Sequence, residues 1–323
     1  MNIRKICIVG GTGFVGRHVA AELARHGYSL KVLTRRRERR RELLVIPKLE
    51  LVEANVHQSD DLREQFAGCD TVVNLAGILN ETGGSKRDFD SVHTQLPATV
   101  AEACRLAGVK RLLHMSALKA GADAPSQYLR SKHAGEEAAH AAAAHGIAVT
   151  SFRPSVIFGA DDSFFNRFAT LLALPAPIFP LACPESRFAP VYIGDVAQAF
   201  ARSLADKRTF GRNYELCGPR IYTLRELVEY TARLSGHRRL VVGLGDTAAR
   251  LQASILQHVP GKPFSMDNYH SLQVDSVCEQ NGLAELGIEA TALESVVPGY
   301  IGRGDRTGVY NSFRAFARRG STL

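Results

Sequence analysis

Three groups of residues in this chain have the types and spacing to do chemistry. Tyr128 and Lys132 lie four apart in Tyr128-Leu129-Arg130-Ser131-Lys132, so on a helix they share one face. An ammonium beside a phenol favours the phenolate and lowers a pKa that starts near ~10. Such a pair can serve as general acid and base in hydride transfer. The plainer reading is a chance surface pair. Ser116 is a candidate third partner, or else a plain turn or cap serine. The second group is Gly10, Gly13 and Gly16 in Val9-Gly10-Gly11-Thr12-Gly13-Phe14-Val15-Gly16. One glycine makes a tight turn, one lets backbone approach a pyrophosphate, and one lets helix and strand pack closely. Free N–H groups at the following helix start point at the anion. The third group is Arg35 and Arg36, about 20 residues past the glycines, where an NAD binder places a carboxylate on the ribose 2′-OH. No carboxylate occurs there before Glu38. A guanidinium fork would pair instead with a 2′-phosphate, so NADP(H) is the expected cofactor and NAD(H) the alternative. Read without a ligand, residues 35–41 are a solvated, repulsive loop of six arginines around one glutamate.

These groups need a scaffold, and the chain supplies one by alternation. A strand over 5–9 feeds the glycine turn and a helix to about 25. Further strands are predicted at 30–34, 49–54, 71–76, 111–115 and 148–152. Helices fall near 60–66, 91–107 and 126–145. Alternation of this kind means right-handed crossovers and a parallel sheet. The fold class is α/β: a Rossmann doubly wound parallel sheet with a smaller C-terminal substrate lobe. Tyr128 and Lys132 then lie on the helix after the fifth strand, at the sheet end where such folds bind ligands. The rhythm breaks after Arg153-Pro154, and Pro175, Pro177, Pro180 and Pro184 mark an irregular segment. Residues 191–193 and a helix over 195–204 are expected to return to the main sheet, and 223–259 to be mostly helical. The expected division is a dinucleotide domain from 1–158 and 188–218, a substrate-type lobe from 159–187 and 219–300, and a basic tail from 301–323.

Bulk properties narrow the partners. The 323 residues can bury a large core, and 45% hydrophobic with 22% charged content is ordinary for a soluble globular protein. No apolar run approaches the ~20 residues of a membrane span, and no signal-peptide pattern opens the chain. The expected location is cytoplasmic, with peripheral attachment at the inner face of the membrane as an alternative. The six cysteines show no paired spacing and read as reduced packing residues. The histidines form no His-x-x-x-His cluster, so no metal is expected. Net charge is +8, concentrated in residues 35–41 and the C-terminal tail. No helix-turn-helix, zinc finger or RNA-binding aromatic motif accompanies it, so nucleic-acid binding is not expected. Nothing sets an oligomeric state.

The chain resembles the extended short-chain dehydrogenase/reductases. The matching residues are the glycine turn, Asn74-Leu75-Ala76-Gly77, Ser116, Tyr128 with Lys132, and Arg153-Pro154-Ser155. The resemblance runs from residue 3 to about 301. It is closer to an atypical branch containing the subunit-9-type accessory protein of respiratory complex I and its bacterial relatives. The phrases behind that are residues 153–162, Pro190-Val191-Tyr192-Ile193-Gly194-Asp195-Val196-Ala197 and Tyr214-Glu215-Leu216-Cys217-Gly218-Pro219. The resemblance implies that Gly10, Thr12, Gly13, Phe14, Val15 and Gly16 hold the dinucleotide. It sets Arg35 and Arg36 at the adenosine phosphate, and Asn55 and Val56 at the adenine. Asn55 replaces a usual aspartate, but its carbonyl can still accept from the adenine amino group. Leu75, Ala76 and Gly77 would line the cofactor, and Tyr128 and Lys132 would hold the ribose and flank the nicotinamide. Pro154, Ser155, Val156 and Ile157 would pass the carboxamide.

One departure bears on activity. In active extended members two hydroxyl residues end the fifth strand, and the second is catalytic. Here Ser116 is followed by Ala117 and Leu118. Two readings result. One is an NADP-dependent oxidoreductase or epimerase acting on a small carbonyl, sugar-nucleotide or quinone-like substrate. The other is a cofactor-bound accessory protein of respiratory complex I or quinone metabolism, with an incomplete triad. The tail suits the second reading. Arg303, Arg306, Arg314, Arg318 and Arg319, with Tyr310, Phe313 and Phe316, match an anionic membrane surface or a respiratory-chain subunit. Alternatively, those aromatics pack on their own domain.

Overall fold

Runs of valine, isoleucine and leucine without polar alternation demand burial on both faces, and here they form the middle of a parallel sheet. The computed structural model describes residues 3–81, 88–237, 239–260 and 262–301; the tail residues named above lie outside them. β1 (Lys5–Val9), β4 (Thr71–Asn74) and β5 (Arg111–Met115) are buried almost throughout. With β2 (Ser29–Thr34), β3 (Leu49–Glu53), β6 (Ala148–Pro154) and β11 (Arg212–Leu216) they make a seven-stranded sheet in the order β11-β6-β5-β4-β1-β2-β3. Every pairing is parallel. The order reverses between β1 and β4, which opens a crevice at their C-terminal ends.

The period of two in β1 assigns its side chains to two cores. Ile6 and Ile8 pack under α1 (Phe14–Arg25) and α6 (Ile193–Ser203); Cys7 and Val9 pack under α2 (Ser59–Phe66) and α3 (Leu96–Ala107). α4 (Gln127–Ala141) lies beside α3. The smaller lobe has its own core, with Phe158, Phe165, Leu227 and Val241 at its centre. Its longer helices are α5 (Phe165–Leu172), α7 (Leu224–Ser235), α8 (Asp246–Leu256) and α9 (Met266–Ser271). Three short strand pairs stand apart from the main sheet: β7 (Ile157–Phe158) with β10 (Val191–Tyr192), β8 (Ile178–Leu181) with β13 (Leu240–Gly243), and β9 (Arg187–Phe188) with β12 (Tyr222–Thr223).

Four sequence expectations are corrected. Residues 191–193 do not rejoin the main sheet; Val191 and Tyr192 pair with Ile157 and Phe158, and β11 takes the seventh place beside β6. The stretch 223–259 is interrupted by β13, whose partner β8 lies some sixty residues earlier. The fourth strand stops at Asn74, because its Oδ1 accepts from Ala76 N at 3.2 Å and turns the chain off the sheet. Cys217 and Cys278 are disulfide-bonded, with Cα atoms 6.0 Å apart and a separation of 61 positions in sequence. Only the docking of the lobe against the end of β11 brings them together, so no local spacing announces the bond. Cys7, Cys69, Cys104 and Cys183 are free thiols.

One glycine sets how closely α4 can approach. Residues Asp90–Gln95 form a π-helical turn ahead of α3. A Cβ on Gly135 of α4 would stand 1.7 Å from the His93 carbonyl oxygen of that turn. Glycine inside a helix costs about 1 kcal/mol against alanine, so this position gives up propensity for contact. Gly135→Ala should lose at least the roughly 1–3 kcal/mol typical of overpacking, read as a lowered urea midpoint. An unchanged midpoint would show that the two helices can part without cost.

Candidate functional site

The glycine turn sits directly on the end of β4. Gly10 has φ +78°, and a Cβ there would lie 2.7 Å from both Leu75 C and Ala76 N. A Cβ on Gly16 would lie 2.4 Å from Gly10 O, so the first turn of α1 closes on the loop. Gly13 meets no such wall. It is exposed, its N–H donates to Gly10 O at 3.1 Å, and it leaves the way to α1 open. No side chain caps α1, and its first turn holds no acidic residue. Those N–H groups and the positive end of the helix suit a diphosphate, and the open cradle fits one. Thr12, Phe14 and Val15 are half-buried around it. From the far side, Arg17 bonds Asp161 at 3.1 Å, and the start of α1 is held there.

At the end expected to hold the adenosine, Arg35 and Arg36 are exposed where β2 stops. Glu53 is the register partner of Thr34, so the arginines share that corner with one carboxylate. Asn55 Oδ1 already accepts from His57 N at 3.2 Å. A carbonyl has a second lone pair, which is the one an adenine amino group would use. Val56 is half-buried against the α2–α3 core.

At the other end Leu75, Ala76 and Gly77 leave β4. A Cβ on Gly77 would stand 3.5 Å from both Lys132 Nζ and His93 Nε2, so these three groups converge. Lys132 is 6% exposed and donates to Met115 O at 2.9 Å. Burial draws its pKa down to about 8. The Tyr128 ring stands edge-on to Phe89 and His93, 5.8 and 5.5 Å away. Its phenol is pushed up to about 12, first by burial and then by the Asp267 carboxylate. The expectation of a lowered phenol is therefore corrected: desolvation dominates, and the Lys132 ammonium serves the Met115 carbonyl. Ser116 follows Met115 with its Oγ buried and unpartnered among the described residues. Where β6 ends, Pro154 is buried, and beyond it Val156 and Ile157 are half-buried. The Ser155 hydroxyl is taken, donating to Ser276 O at 2.8 Å.

Three residues that sequence reasoning passed over complete the arrangement. His93 Nε2 accepts from Ile78 N at 3.0 Å, so in the neutral ring Nδ1 carries the proton and donates to Ser131 Oγ at 3.0 Å. Ser131 in turn donates to Tyr128 O at 2.9 Å. Burial, then the nearby Lys132 charge, lowers the His93 pKa to about 2, so it stays neutral. His114 accepts at Nδ1 from Asn74 Nδ2 at 3.3 Å, and its buried Nε2 has no partner among the described residues. Asp267 caps α4 by accepting from Gln127 N at 2.6 Å and Tyr128 N at 3.1 Å. Gly135, a glycine inside an alanine-rich helix, was the one signal that something packs on this face.

The glycine cradle, the converging Lys132 and the strand order agree with what comparison with known proteins gives. Residues 6–217 match the model of the NAD dependent epimerase/dehydratase family. The chain belongs to this family. Among its relatives, the mouse (Mus musculus) mitochondrial NADH dehydrogenase [ubiquinone] 1 alpha subcomplex subunit 9 is 29% identical over 89% of this chain and 77% of its own length. A ceramide reductase of Caulobacter vibrioides is 30% identical over 75% of this chain and 74% of its own. The fold matches the NADPH-dependent quinone oxidoreductase QOR2 of Escherichia coli, solved with NADPH, at a TM-score of 0.71. That alignment spans 90% of this chain and 97% of that one, at 19% identity. Dinucleotide binding, as NAD or NADP, follows from the family.

Lys132, as the cofactor contact that the sequence leads one to expect, would carry a pH signature. Its folded pKa of about 8 lies below the ordinary lysine value of ~10.4, so between those values the unfolded chain binds more protons. Stability of the free protein should therefore rise across that window, while dinucleotide affinity falls as the ammonium is lost. Fluorescence titrations from about pH 6.5 to 9.5 read the affinity. Lys132→Ala should bind weakly and without the step. A flat wild-type profile would rule out a charged contact from this lysine.

Proposed function

We propose that this family member holds NADP(H) in the glycine cradle and acts as an accessory protein of a respiratory-chain or quinone-linked assembly, with little or no turnover of its own. The observation that carries this is the state of the Tyr128–Lys132–Ser116 group. The phenol stays protonated with the Asp267 side chain nearby, the ammonium gives one of its three N–H donors to Met115 O and none to the phenol, and Ala117 stands where active relatives have a second hydroxyl. A phenolate left after proton donation would find no cation bonded to it. The curated relatives named as subunits of NADH dehydrogenase support the accessory part. We read residues 159–187 and 219–300 as the substrate-type lobe. The basic tail, residues 301–323, serves in this reading as a tether to a respiratory-chain subunit or to the inner face of the membrane.

A second reading, an active NADP-dependent reductase, is favoured by the unpartnered Ser116 Oγ, which is free to hydrogen-bond a substrate carbonyl. The reductase named among the relatives supports it.

The cofactor part is tested by thermal-shift titration with both cofactors. NADPH should bind about tenfold more tightly than NADH, ~1.4 kcal/mol. Arg35→Ala with Arg36→Ala should erase the difference. Equal shifts in the wild type would remove the NADP reading. The accessory part is tested by a turnover screen with quinones, sugar nucleotides and long-chain ketones. Robust reduction that Tyr128→Phe abolishes would establish the enzyme reading instead.

A further inference from the structure

The smaller lobe carries an apolar face with nothing of this chain over it among the described residues. β8 and β13 pair in parallel, with Leu240 opposite Ile178 and Val242 opposite Pro180. Their alternate residues point inward as Val241 and Leu181 and outward as Ile178, Leu240 and Val242. The run 173–178, Ala-Leu-Pro-Ala-Pro-Ile, leads into β8 and is exposed at every position. α8 buries Ala249 and Ala253 inward and leaves Leu251 and Ile255 outward. Gln252, between them, donates to Pro180 O at 3.0 Å and joins α8 to β8. Leu174, Ile178, Leu240, Val242, Leu251 and Ile255 are thus 39% to 64% exposed on one part of the lobe. Single exposed aliphatics need no explanation, but a cluster of this kind marks an interaction surface.

The charges say what covers it. No Asp or Glu occurs in 163–184, in 236–245 or in 247–266, the three segments that build this face. Each carries arginine or lysine: Arg167 in the first, Arg239 in the second, Arg250 and Lys262 in the third. Of the carboxylates that bound these segments, Asp246 is paired with Arg250 at 3.0 Å and Glu185 with Arg225 at 3.7 Å, Asp162 is buried, and Asp267 caps α4. Aliphatic side chains interspersed with cations and free of carboxylates suit the boundary between anionic headgroups and acyl chains. A second copy of this chain would set cation against cation. No helix among the described residues is long and apolar enough to cross a membrane, so attachment here would be to its surface. We infer that the α8 and β8–β13 face of the smaller lobe docks on an anionic lipid surface. This contact is separate from the tail and independent of whether the protein turns over a substrate.

The test uses the full chain and sedimentation with phosphatidylcholine vesicles, with and without phosphatidylglycerol. Wild type should pellet with the anionic vesicles, and less at high salt, as the Debye length shrinks from ~10 Å at 0.1 M to ~3 Å at 1 M. Leu251→Glu with Ile255→Glu should weaken vesicle binding about tenfold or more, since it removes apolar insertion and adds repulsion. The milder pair Leu251→Ser with Ile255→Ser should weaken it in the same direction. Both should keep the wild-type melting temperature and its rise with dinucleotide, because these side chains are exposed. Reversing the tail charge at Arg314, Arg318 and Arg319 should leave a remnant of binding that the α8 changes then remove. The inference is overturned if the α8 variants pellet like wild type or if wild type ignores anionic vesicles. It is equally overturned if neutral vesicles bind as well, if the variants instead dissociate a dimer, or if they release only an acidic protein partner.

Discussion

A buried ammonium cannot be left without acceptors, and the placement of Lys132 follows from that rule. Its bond to Met115 O ties α4 to the C-terminal end of β5, the mouth of the sheet. Holding the helix that close requires the missing side chain at Gly135, where the His93 carbonyl takes the space. One turn further, Glu136 is 2% exposed and answers Arg153 through both its oxygens, at 2.7 to 3.0 Å, which locks α4 to β6 as well. The same tight seat desolvates Tyr128 and lowers the Lys132 pKa. Position and electrostatics at this site are one consequence of one packing constraint.

The two ends of β5 divide the work of the sheet. At its beginning, Arg111 is fully buried and donates five hydrogen bonds, to Leu204 O, Ala148 O, Thr150 Oγ1, Ser203 O and Thr209 Oγ1. None of these acceptors is a carboxylate, and burial draws its pKa to about 9, yet each of its three nitrogens donates at least one hydrogen bond. At the other end His114 Nε2 and Ser116 Oγ are buried with no partner among the described residues. Unserved buried polar atoms cost stability and are rare in native proteins. These two lie at the sheet end where ligands of such folds bind; Thr71 Oγ1 and Ser203 Oγ, near Arg111, are likewise without a partner among the described residues.

What the sequence disclosed, and what it hid, sorts by distance along the chain. Six strands of the sheet were legible because each is a short apolar run between local turn signals. Gly10 and Gly16 were legible because their constraint is met within a few residues and by the next strand. β11, with the pattern Arg212-Asn213-Tyr214-Glu215-Leu216, gave no apolar run to read, since an edge strand needs burial on fewer sides. The pairing of β8 with β13 and the Cys217–Cys278 bond depend on how the lobe seats itself, which no local pattern encodes. The phenol of Tyr128 was misjudged for a related reason. Spacing showed that a lysine would be near, but not that burial would outweigh it or that Asp267 would arrive from 139 residues away.

That late arrival has a consequence for how the protein is made. A ribosome releases β1 to β6 and the whole of α4 well before residue 267 leaves the tunnel. Until then the first turn of α4 has Ser126 as its cap and lacks the carboxylate that accepts from Gln127 N and Tyr128 N. Ser155 likewise waits for Ser276, and Cys217 for Cys278. The nascent nucleotide-binding half is therefore a sheet with an unfinished rim. That rim is completed by Asp267, Ser276 and Cys278, and a chain interrupted before them carries the glycine motif and Lys132 without these supports.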